Sequence, residues 1–181
     1  QEMKLARLPV TETVVQSAYQ HFASQEDFGK ESSKSLQAFK QIFELTGVPA
    51  NFPAEQTDRV YKTSRFAEWQ KLNEVIGVLP SNEVVQYKYL QFFTGGHYGL
   101  DKNIEAIRTL TGQSPEAETI SKSLEHFASE GKIEEMSNIV KIVGGKPDIN
   151  PESGQKAYRK VTEQWNSSSA IYWGEKLVTA I

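Results

Sequence analysis

Four segments of this chain end alike: "FELTGVP", "NEVIGVLP", "RTLTGQSP" and "KIVGGKP" each run an apolar stretch into a glycine (Gly47, Gly77, Gly112, Gly144) with a proline two or three residues beyond. Stepping back 2, 5, 8 and 11 residues from each glycine gives Leu45, Ile42, Phe39 and Leu36; Val75, Leu72, Trp69 and Phe66; Leu110, Ile107, Ile104 and Asp101; Ile142, Ile139, Met136 and Ile133. Every one except Asp101 is apolar, so the spacing predicts the same amphipathic helix four times over. Glycine supplies the left-handed conformation that closes a helix, and the following proline blocks its continuation.

A second, more divergent helix precedes each of these. "HFAS" occurs at His21 to Ser24 and at His126 to Ser129, an offset of 126 − 21 = 105, or three times 35. Val-Val-Gln followed by Tyr and Phe recurs at an offset of 70, which places Phe22, Phe92 and Phe127 at one equivalent position. The helix anchors are then Tyr19, Tyr61, Tyr89, Leu124 and Tyr158, spaced 42, 28, 35 and 34 apart. A polar insertion near "QEDFGKESSK" and a shortened second unit account for the first two spacings. Thr11, Ser81 and Glu116 or Glu118 stand at the helix starts, where acceptor side chains cap free backbone amides. No alternating period-2 run extends beyond a few residues, so essentially no sheet is expected.

These features predict an all-α protein, a right-handed α-solenoid of about five helix-turn-helix repeats of roughly 30–40 residues. The units fall near 9–48, 49–79, 80–114, 115–146 and 147–181, within one domain over 1–181. The fourth unit, with Gly131-Lys132-Ile133-Glu134-Glu135, Met136 and the closing Pro147-Asp148, resembles a pentatricopeptide repeat. The whole set is similar to a divergent helical-hairpin family of the tetratricopeptide and pentatricopeptide kind, although the tetratricopeptide Trp, Leu-Gly and small-residue positions and the ankyrin Thr-Pro-Leu-His signature are not matched. The resemblance implies binding along a surface, to protein or to RNA.

Composition narrows the function. With 38% hydrophobic and 24% charged residues the chain reads as globular, and a formal charge of −3 gives no general attraction to nucleic acid or anionic membrane. The absence of cysteine excludes disulfides, thiolate metal sites and a cysteine nucleophile and fits an intracellular, soluble protein. No segment approaches the roughly 20 apolar residues of a membrane span. Gln1 and Glu2 ahead of Met3 read as a fragment or an added leader, and a removed targeting peptide stays compatible with the sequence. The apolar Leu177, Val178 and Ile181 predict a modified cap, self-association through the C-terminal repeat or a continuing array.

No catalytic or metal constellation emerges. His21 and His126 occupy one repeat position three steps apart, which at helix spacings of 8–10 Å separates them by roughly 25 Å, far beyond a shared metal. His97 and the glycines Gly95, Gly96 and Gly99 lack the Lys-Ser or Lys-Thr and the preceding strand of a phosphate loop. Glu134-Glu135 and Glu116-Glu118 read as solvated faces. Trp69 and Trp173 read as core, and Trp165 is ambiguous between core and a stacking surface. The expectation is a non-enzymatic scaffold with no cofactor, binding a protein or peptide partner, with pentatricopeptide-like single-stranded RNA binding as the alternative. Its ligand surface is expected along two polar, variable rows flanking the anchors. The first is Gln16, Asp58, Gln86, Ser121 and Gln155, and the second is Gln20, Lys62, Leu90, Glu125 and Arg159.

Overall fold

A computed structural model describes residues 11–95, 99–130 and 132–143, and among them every regular element is helical. The chain divides into two compact units, Gln1–Val84 and Val85–Ile181, each treated by itself. The first holds α1 (Glu12–Ala23), α2 (Lys34–Thr46), α3 (Ala54–Thr63), a short 3-10 turn (Phe66–Glu68) and α4 (Trp69–Ile76). The division falls within α5 (Asn82–Gly95), and α6 (Leu100–Thr111), α7 (Ala117–Ser129) and α8 (Ile133–Ile142) belong to the second. The expected fifth unit, including Tyr158, Trp165 and Trp173, lies outside the described residues, as do His97, Gly96 and Gly144.

Local chemistry sets the boundaries. Thr11 caps α1 and Ser33 caps α2, each accepting from the backbone N–H three residues on (Val14 and Leu36). Asp27 accepts from the Ser35 hydroxyl at 2.8 Å, from the Ser35 N–H at 3.1 Å and from the Ser33 hydroxyl at 3.2 Å, and these hydrogen bonds, led by that of the Ser35 hydroxyl, hold its carboxyl below the usual range. The polar insertion is thus a structured loop tied to the start of α2. At the other end, α2, α4 and α6 close through Gly47 (φ 66°), Gly77 (φ 74°) and Gly112 (φ 70°), each donating its N–H back to a carbonyl four residues earlier at 2.8 Å.

The anchors are among the most buried residues of each unit. Tyr19 and Tyr61 are enclosed in the first, as are Phe39, Trp69 and Leu72, and Tyr89 and Leu124 in the second, as are Phe93, Ile104, Ile107, Met136 and Ile139. Each tyrosine ring is buried while its hydroxyl reaches the chain just past a closing glycine. Tyr19 donates to the Val48 carbonyl, Tyr61 to the Val78 carbonyl at 2.8 Å, and Tyr89 to the Gln113 carbonyl. In all three the acceptor is the residue directly after the glycine, so one interaction recurs at the three tyrosine anchors.

Two parts of the expected stripe differ. Leu45 is 86% exposed, Asp101 is exposed, and Ile42, Phe66, Leu110 and Ile142 are half-buried. Counting in threes turns a stripe by about 60° per step, yet Trp69, Leu72 and Val75 stay fully buried in α4, so the exposure of Leu45 is particular to α2. In α5 the core position is taken by fully buried Phe93, one turn from Tyr89, while Phe92 is half-buried like Phe22.

Within the first unit α1 packs on α2, α3 on α4, and α2 on α4. Two loops touch at Gly29 (φ 82°), whose carbonyl accepts the Arg65 N–H at 3.0 Å, and an added Cβ would lie 2.3 Å from Ser64 Oγ and 2.7 Å from Ser64 Cα. Only glycine satisfies both the left-handed backbone and that approach. Trp69 joins the hairpin across its own turn by donating its indole N–H to the Tyr61 carbonyl at 2.9 Å.

Truncating the anchor separates ring from hydroxyl. Tyr61→Phe should cost about 1 kcal/mol in urea denaturation, the net value of one hydrogen bond, and Tyr61→Ala about 3–5 kcal/mol. Burial also lifts the Tyr89 phenol to about 12, with Arg108 opposing it more weakly. Because the unfolded phenol ionises first, near 10, the stability held below that pH is lost as the pH rises toward 12. Chemical denaturation at pH 9 and pH 11 should show this fall reduced in Tyr89→Phe.

Candidate functional site

The first polar row lies three residues before each anchor, on the same side of the helix. Its members do not point into open solvent. The Gln16 amide donates from Nε2 to the Pro49 carbonyl at 2.9 Å and accepts the Asn51 N–H on Oε1 at 2.8 Å. In the second unit Gln86 donates to the Ser114 carbonyl at 2.9 Å and accepts the Glu116 N–H at 2.9 Å. Counted from Gly47 and Gly112, both pairs are the carbonyl two residues and the N–H four residues after the glycine. A primary amide carries one donor side and one acceptor side, so it matches a segment of linker much as a neighbouring strand would. Asp58 has only acceptors, and it takes the equivalent N–H, that of Ser81, at 2.8 Å. The Gln86 oxygen also accepts the Thr119 hydroxyl at 2.7 Å, which ties the linker to the first turn of α7. Ser121, expected on the exposed row, is instead buried, and Gln155 lies outside the described residues.

The second row is less committed. Gln20 is exposed and forms a reciprocal amide pair with Gln56, Nε2 to Oε1 at 2.8 Å one way and 2.5 Å the other. Lys62 is exposed, Leu90 and Glu125 are half-buried, and Arg159 lies outside the described residues. An open depression of about 570 Å³ runs along α1, lined by Glu12, Thr13, Gln16, Ser17 and Gln20. It brings one member of each row to one surface, with hydroxyl, amide and carboxylate groups and no large apolar side chain.

Among the described residues, the histidines and carboxylates elsewhere do not converge on a metal site. His21 and His126 are both exposed, and each sets its ring edge-on to the following phenylalanine at a centroid distance of 5.1 Å, a repeated surface feature. Among the described residues no group of three His, Cys, Asp or Glu side chains is placed to hold a metal. Lys88 was not singled out by sequence reasoning, yet it is 5% exposed. Burial lowers its pKa, and its ammonium donates to Gln91 Oε1 at 3.0 Å. The only advance signal was its position one residue before the Tyr89 anchor, where Val60 and Ser123 are also buried. Glu130 and Lys132 pair at 2.9 Å on the surface, which lowers the carboxyl and raises the amine.

Comparison with protein families, with curated proteins and with solved structures finds no match for this chain.

The amides predict their own test. Gln86→Ala should lower the unfolding free energy by about 1–2 kcal/mol, because it strips partners from two linker groups and from Thr119. Gln20→Ala should stay within about 0.5 kcal/mol, as exposed substitutions do. Equal effects of the two in urea titrations would contradict the assignment.

Proposed function

We propose that the chain is a non-enzymatic binding module, an α-solenoid of the tetratricopeptide and pentatricopeptide kind that presents one side of its first helices to a protein or peptide partner. What supports the reading is the depression along α1, where Glu12, Thr13, Ser17 and Gln20 face solvent beside a linker held by Gln16. In this reading the first row (Gln16, Asp58, Gln86) keeps the surface in register, and the second row (Gln20, Lys62, Leu90, Glu125, with Arg159 beyond) supplies contacts that vary from unit to unit. The Gln20–Gln56 pair is the part of the surface best suited to a ligand, since each amide can exchange its partner for a peptide group at little cost. An extended peptide suits such a surface because its backbone needs alternating donors and acceptors. The mild negative charge favours this reading over RNA, whose phosphates need a positive groove. No helix among the described residues is long and apolar enough to cross a membrane, which is compatible with the proposed role as a soluble intracellular scaffold.

A phage-displayed peptide library selected against the immobilised chain tests the proposal. Selected peptides should lose at least about 10-fold in affinity, equal to 1.4 kcal/mol, when Ser17→Arg and Gln20→Arg are combined, with the fold retained. Peptides indifferent to that pair would remove the surface from consideration. Retention on single-stranded RNA that weakens steeply with salt would support the RNA alternative instead.

A further inference from the structure

Repeats allow one hairpin's surface to be compared with the same surface on the next. Aligned on the anchors, Val14 and Ala18 of α1 correspond to Gln56 and Val60 of α3 and to Thr119 and Ser123 of α7. Aligned on the glycines, Ile42 and Leu45 of α2 correspond to Leu72 and Val75 of α4. Val60, Thr119, Ser123, Leu72 and Val75 are buried, and Gln56 is half-buried. In the first hairpin Val14 is 56% and Leu45 86% exposed, and Ala18 and Ile42 are half-buried. Leu110 and Ile142, the further counterparts of Leu45, are half-buried, so this flank of the first hairpin is apolar and more open than its counterparts.

What covers the copies is visible within each unit. Over the second hairpin, α2 packs on α4, Gln20 pairs with Gln56, and the linker residue Ala50 donates its N–H to the Val75 carbonyl at 3.0 Å. Over α7, Gln86 of α5 receives the Thr119 hydroxyl. In both cases a group of the preceding hairpin reaches onto the following one. The entry to α1 carries the matching signature. Leu8-Pro9, Glu12 and Val14-Val15-Gln16 parallel Leu79-Pro80, Glu83 and Val84-Val85-Gln86, and Leu79-Pro80 belongs to the linker leaving Gly77.

We infer that the flank formed by Val14, Ala18, Ile42 and Leu45 is a docking face for a further helical hairpin of this repeat type, joined to the chain at Thr11. A second copy of the chain set face to face does not fit, because the surface this flank matches is the opposite side of a hairpin, the side bearing Gln20 and Ala50, and such a contact is heterologous. The inference rests on the proposed repeat reading of the chain but not on the proposed ligand surface, which lies on the other side of α1.

The chain's own second hairpin supplies the probe. Residues 54–80 are fused directly before Thr11 of the chain, so that Thr11 takes the place of Ser81, whose N–H Asp58 holds. Leu45→Ser should leave the thermal midpoint of the parent within about 1 °C, as expected for an exposed side chain, and lower that of the extended protein by about 4 °C or more. Amide exchange in α1 and α2 should slow by about 10-fold on extension. A second extension, residues 12–52 before Thr11, guards against poor folding of the first. The inference is overturned if Leu45→Ser is neutral in both extended proteins, or if neither extension slows exchange in α1 and α2. It is equally overturned if the parent forms a concentration-dependent dimer abolished by Leu45→Ser, which would assign the face to a second copy.

Discussion

Everything in the described part of the chain turns on how the backbone is held just after each closing glycine. A helix that ends in the left-handed conformation releases carbonyls and amides into a short linker, and those groups need partners. Here the partners are side chains of the first helix of the same hairpin. A buried tyrosine hydroxyl takes the carbonyl after the glycine, and an amide or carboxylate three residues earlier takes the N–H four residues after it. One helix face therefore sets both the depth of the hairpin, through the ring in the core, and the path by which the chain leaves it. Further hydrogen bonds tighten the same turn: Thr46 and Thr111 bond back to carbonyls four residues earlier and accept the Val48 and Gln113 N–H groups.

The sequence exposed this arrangement unevenly. Gly47, Gly77 and Gly112 were legible because closing a helix in the left-handed region restricts the residue type. Tyr19, Tyr61 and Tyr89 were legible because a large ring recurs at a nearly fixed offset. Gln16 and Gln86 were readable as a row but not as partners of the linker, since a polar residue on the edge of a helix looks the same whether it faces water or backbone. Leu45 was assigned to the core by its spacing alone, whereas its burial depends on whether another hairpin covers it. Lys88 shows the reverse limit, a charged residue at a buried position whose environment comes from packing rather than from local pattern.

Positions that hold the linker constrain the residue to donors and acceptors of suitable reach, and Asp58 shows how far that constraint relaxes when one of two hydrogen bonds is given up. Gln20, one turn further on, meets no such demand, and its amide pair with Gln56 leaves the surface polar and adaptable. In the fourth hairpin Leu124 and Ser121 stand where tyrosine and glutamine stand in others, so neither the hydroxyl nor the amide partner is repeated there.

The most direct measurement of the central claim is residue-resolved amide hydrogen exchange in the linkers. The N–H groups of Asn51, Ser81 and Glu116 lie in exposed segments but donate to Gln16, Asp58 and Gln86. They should exchange about 10- to 100-fold more slowly than unstructured peptide, and Gln16→Ala should release Asn51 while leaving Ser81 and Glu116 protected. Exchange of all three at the unstructured rate in the parent protein would contradict the account.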